Sequence, residues 1–169
     1  MTTRPQITIS LPPILQAYCR FVFGTCPDDK EVHIRKNYDI AKLIHSNVIC
    51  SETPVRRPFG LNSITFILSV DKVNHNVMLN HFLYVSPWGE QKILQGIEFK
   101  FRQWITSRFD KGYEKGYSQK IIIEAILRGL NTRNCEANFD AIKKIDYRHR
   151  RTLEEKRFNE HLKECQEFE

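Results

Sequence analysis

The residues best placed to do chemistry lie between Asn138 and Arg151, where positions 143 to 151 hold five Lys or Arg against one Asp. Helical spacing lines Phe139, Ile142, Ile145 and His149 along one side and leaves Lys143, Lys144, Tyr147, Arg148, Arg150 and Arg151 on the rest of the surface. A row of cations held by a helix suits a phosphate backbone, and Arg or Tyr can also reach base edges and sugars. The local excess of four positive charges is most of the formal net charge of +6 carried by the whole chain. The bland alternative is a solvated basic helix that closes a bundle and contacts nothing.

A second basic set, Arg102, Arg108, Lys111, Lys115 and Lys120, is interleaved with Phe99, Tyr113 and Tyr117. Cations mixed with aromatics can hold phosphates while rings touch sugars or bases, although the wet side of an amphipathic helix has the same composition. Arg56 and Arg57, flanked by Pro54 and Pro58, read as a surface loop rather than a phosphate site. Enzymatic chemistry is not expected. The sequence lacks a phosphate-binding glycine loop, a dinucleotide fingerprint, a GxSxG elbow and an HExxH pair. Asp28 and Asp29 are adjacent and belong to a turn. Cys19 could pair with His33 or His45 as nucleophile and base only through a tertiary coincidence. Neither a metal nor a cofactor is expected: Cys19, Cys26, Cys50, Cys135 and Cys165 are widely spaced, and His75 and His81 have no cysteines near them. Reduced thiols in a cytoplasm are the expected state.

These groups need a scaffold, and 169 residues supply one domain or two small ones at ~100–200 residues each. The 41% hydrophobic and 27% charged content is that of an ordinary globular chain. No apolar run is long enough to suggest a membrane span or a signal core. Residues 6 to 11 alternate as a strand, Pro12 and Pro13 end it, and a helix from Ile14 to Phe23 stops at Gly24. After the turn from Pro27 to Lys30, a second strand covers 31 to 35. Asn37 or Asp39 then caps a helix carrying Ile40, Leu43, Ile44 and Val48. Residues 51 to 60 form a loop, 63 to 70 the clearest strand, and a turn at 74 to 76 makes a hairpin with a strand from Val77 to Tyr84.

From Ser86 the pattern is helical. Ser86, Pro87 and Glu90 form a helix start, followed by a stripe from Ile93 to Phe109 that Gly112 and Gly116 loosen at its end. Ser118 caps a heavily apolar helix through Leu130, and Asn138 caps a third helix from Phe139 to about Arg151. That third helix either continues to Cys165, or the net-acidic stretch from Leu153 to Glu169 folds back or frays, with internal neutralisation of the basic face as one outcome. The expected organisation is a mixed region at 1–85, a helical DNA-contact region at 86–151 and a charged helix or tail at 152–169.

The short apolar helix beside a basic one, within three helices spanning about 87 to 151, resembles the helix-turn-helix DNA-binding proteins of phages and mobile elements. The linker from Asn131 to Ala137 is longer than the usual three or four residues of that motif. The resemblance implies DNA binding without catalysis, as in a regulator or replication accessory protein, with cations on phosphates and the polar tips of the third helix reading a groove. The expected fold is α+β, with short strands in the N-terminal region and a helical C-terminal region. The expected partner is DNA, with RNA and a second copy of the chain as further candidates, and no membrane. The rival reading is a phage structural subunit in the virion, its basic face turned to DNA or to an acidic neighbour.

Overall fold

The computed structural model describes residues 4–29, 31–35, 37–55, 60, 62–71 and 74–166. Lys30, Arg56 and Arg57 lie outside them. The fold is α+β, as the sequence predicts. It forms two compact units, Met1–Phe101 and Arg102–Glu169, that divide within a long helix, whereas the sequence pattern changes at residue 86.

The first unit is organised on one strand. β1 (Gln6–Ser10) leads through Pro12 and Pro13 into α1 (Pro13–Phe23), then come β2 (Glu31–His33), α2 (Asp39–Ser46), β3 (Val48–Ser51) and β4 (Ser63–Ile67). β4 lies between its partners, antiparallel to β1 and parallel to β2. Alternation decides what each face does: Ile7, Ile9, Val32, Ile64 and Phe66 are buried, while Thr8 and Thr65 meet across the other face through their hydroxyls at 2.9 Å. α1 begins with Pro at its first turn and ends at Gly24, whose φ of +64° closes the helix. Buried Gln16 is satisfied because its Nε2 donates to the Leu11 carbonyl at 2.8 Å.

Three local expectations fail here. The residue capping α2 is Tyr38, without a side-chain cap bond. Asp39, its first residue, instead accepts from Lys100 Nζ at 2.8 Å, which holds the Asp39 carboxyl below its ordinary range. Val48 is not helical but opens β3. The predicted 63–70 to 77–84 hairpin is absent: His75–Asn80 is a helix, α3, and β5 (Phe82–Val85) pairs with β3, placing Ile49 opposite Tyr84. The physical reason is a reciprocal clasp, Asp71 N–H to Asn74 Oδ1 at 2.8 Å and Asn74 N–H to Asp71 Oδ1 at 2.9 Å, which folds the chain just ahead of α3.

α4 (Pro87–Glu114) starts as predicted, with Ser86 Oγ accepting the Gly89 N–H at 3.0 Å, and it runs from the first unit into the second. In the first unit its Phe101 ring lies 5.2 Å from Tyr18. In the second it joins α5 (Gln119–Gly129) and α6 (Glu136–Gln166) around Ile105, Phe109, Ile123, Leu127 and Ile142, all fully buried. Gly112 does not loosen α4. It is buried within the helix, where an added Cβ would lie 2.5 Å from Ile122 Cδ1, so the absent side chain is what lets α5 approach. Gly116, at φ +77°, ends the helix.

Ser118 stands at the α5 N-cap position but makes no side-chain cap bond. α6 begins at Glu136, so Asn138 is inside it rather than capping it, and Asn138 Nδ2 donates to the Arg133 carbonyl at 2.9 Å. The helix then continues unbroken for 31 residues, past the sequence boundary at 151/152. The fold-back alternative is therefore overturned, because one continuous helix cannot lay its second half on its first.

Candidate nucleic-acid interface

α6 gives the second unit its division between packing and presentation. Ile142 is fully buried, Phe139, Ile145 and His149 are partly buried, and His149 Nε2 lies 3.3 Å from Asp110 Oδ1. Lys143, Lys144, Tyr147, Arg148, Arg150 and Arg151 are all on the exposed surface, Tyr147 with 63% of its area open.

They are not equivalent. Lys143, Lys144 and Arg148 have no ion-pair partner among the described residues. Arg151 Nε donates to Glu155 at 3.0 Å in an exposed i,i+4 pair, an association weak enough to exchange for a phosphate. Arg150 is engaged inward: its Nη2 lies 2.9 Å from Asp146 Oδ2, and the guanidinium lies over the Tyr113 ring at 5.4 Å.

Asp146 is the residue whose role the sequence reading missed. Its side chain has no exposed area, and its Oδ2 accepts from Tyr113 Oη at 2.8 Å, from Gln119 Nε2 at 2.5 Å and from Arg150. One carboxylate oxygen thus ties the end of α4 and the first turn of α5 to the middle of α6. Burial, reinforced by the bond to Asp146, pushes the Tyr113 phenol up to about 12. The signal was present in the spacing, since Asp146 lies four residues after Ile142 and three before His149, on the inward line.

The second basic set divides in the same way. Lys115 and Lys120 stand within two residues of Tyr113 and Gln119, so the Asp146 cluster brings their segments to the middle of α6; Lys111 is one turn of α4 or less from the same point. Lys120 is exposed and only 4.0 Å from Glu124. Arg108 lies over the Trp104 ring at 5.3 Å, and Arg102 is exposed. Tyr117 is exposed and Tyr113 is partly buried by the Asp146 cluster. Phe99, the remaining aromatic of that set, belongs to the first unit.

The chemistry available elsewhere is limited. Cys19 is fully buried, which pushes its thiol up to about 12 and removes the thiolate a nucleophile requires. The five cysteines are free thiols. Among the described residues no group of three or more His, Cys, Asp or Glu is arranged to hold a metal, and no helix is long and apolar enough to cross a membrane. An open pocket of about 540 Å³ in the first unit is lined by Lys42, His45, Val48, Cys50, Asn74, Val77 and Met78; Nε2 of its His45 is 3.2 Å from Ser69 Oγ. No protein-family model, curated protein or solved structure matches the chain.

Proposed function

We propose that this chain binds duplex DNA without catalysing a reaction on it, as a regulator or replication accessory protein of a phage or mobile element would. The observation that carries the reading is the outward face of α6, where Lys143, Lys144 and Arg148 stand exposed around an exposed Tyr147 with no acidic partner among the described residues. Three cations without internal counter-charges release counterions when they meet phosphates, and that release drives association. DNA is favoured over duplex RNA because the DNA major groove admits a helix, whereas the A-form groove is too deep and narrow. The rigidity of the face supports the same reading, because α6 is fixed to α4 and α5 through buried Ile142 and Asp146 instead of through the linker at 130–135.

The test is a fluorescence-anisotropy titration of a labelled 20-base-pair duplex at several salt concentrations, with duplex RNA in parallel. DNA binding at ~50 mM salt that weakens steeply by ~200 mM is expected. Absence of DNA binding at the lower salt refutes the proposal, and equal binding of both duplexes refutes the groove argument.

A further inference from the structure

Asp146 occupies a position on α6 where the helix otherwise turns apolar residues inward, and it is fully enclosed. Its three donors, from Tyr113, Gln119 and Arg150, all converge on Oδ2, while Oδ1 is buried and has no hydrogen-bond partner among the described residues. A carboxylate can spread donors over about four lone-pair sites on its two oxygens, so this crowding is set by where the helices place the donors. The buried acid also controls one cation of the basic face. Arg150 sits among Lys143, Lys144, Arg148 and Arg151 in sequence, yet its guanidinium is directed between Asp146 and the Tyr113 ring.

We infer that Asp146 is a positioning residue that withholds Arg150 from the nucleic acid while it fixes the Tyr113 and Gln119 segments against α6. This rests on the DNA-binding reading above and narrows it: the contact set is Lys143, Lys144, Tyr147, Arg148 and Arg151, while Arg150, although its side chain is 49% exposed, is held by the enclosed Asp146. An ion pair with one partner enclosed is far less open to exchange for a phosphate than the exposed pair of Arg151 with Glu155.

The test is the salt slope of duplex binding for three proteins, the parent, Asp146→Asn and the double variant Asp146→Asn with Arg150→Gln. Asparagine keeps the shape and an accepting oxygen for Tyr113 but removes the negative charge that holds the guanidinium. Asp146→Asn should steepen the slope by about 0.9, the value of one added phosphate contact, and the double variant should return to the parent slope. A folded Asp146→Asn protein with the parent slope overturns the inference. Should that variant unfold, the double variant decides, because it buries neither charge: the parent slope upholds the inference, and a slope shallower by about 0.9 shows that Arg150 was a contact all along. A DNA-free measurement separates this inference from the function it rests on. In the parent, the guanidinium N–H resonances of Arg150 should be resolved by hindered rotation, and in Asp146→Asn they should average. Averaged signals in the parent overturn the withholding even if DNA binds, and resolved signals uphold it even if DNA does not.

Discussion

Replacing Lys143, Lys144 and Arg148 together with Ala separates binding from folding on one helix. All three side chains are exposed and lie off the inward line of Ile142, Asp146 and His149, and Ala is the best helix former, so the fold should survive. If these three and Arg151 are the phosphate contacts, the parent slope of log affinity against log salt is about 3.6 at about 0.9 per contact, and removing three leaves about 0.9. Between 50 and 200 mM salt, the parent should then lose about 150-fold in affinity and the variant only about 4-fold. The assay is anisotropy titration across that range, with far-ultraviolet circular dichroism and a thermal melt to verify folding. A folded triple variant with the slope and affinity of the parent would show that α6 does not contact DNA, and the solvated-helix reading would stand in place of ours.

Three further outcomes test the scaffold. Phe66→Ala empties a fully buried site on the central strand and should cost about 3–5 kcal/mol; an unchanged denaturation midpoint would contradict the burial. Gly112→Ala should fail to deliver the ~1 kcal/mol that Ala normally gains over Gly in a helix, because the new Cβ meets Ile122 Cδ1 at 2.5 Å and Cγ1 at 2.6 Å; in an Ile122→Ala background, which removes both carbons, the same Gly112→Ala step should be less costly in chemical denaturation. For Cys19 the thiol is pushed from its ordinary value up to about 12 by burial, so above pH 9 the unfolded chain releases this proton first. Its contribution is fully present below about pH 9 and is lost as pH rises toward 12, so Cys19→Ala should flatten the decline of Tm over that window; curves of identical shape would argue against the buried thiol.

Local chemistry accounts for what the sequence made legible. Ser86 and Pro87 begin a helix because the cap and the preset φ act within one turn, and the alternation of Ile7 and Ile9 is sufficient to assign a strand face. The failures are tertiary. Val48 continues the apolar spacing of α2, but its strand partner is Val85, and no local signal links them. Residues 77 to 84 are too few to distinguish a period of 2 from one of 3.6, and the clasp between Asp71 and Asn74 settled the matter. The exposed cations of the candidate site were readable from helical spacing, but the difference between Arg148 and Arg150 was not. It depends on Tyr113 and Gln119, which approach Asp146 only when three helices pack.

The placement of β4 between β1 and β2 has a consequence for how the protein is made. Thr8 and Thr65 face each other across 57 positions of sequence, so during synthesis β1 waits about 3–11 s for its neighbour at ~5–20 residues per second. β2 cannot relieve the wait, since its ladder is also with β4. In that interval Ile7, Ile9 and Val32 are solvated strand residues with unpaired backbone, the kind of segment that invites chaperones or pairing with another nascent chain. Substitutions that slow the delivery of β4 should therefore lower the yield of soluble protein while leaving the melting temperature of the folded fraction unchanged.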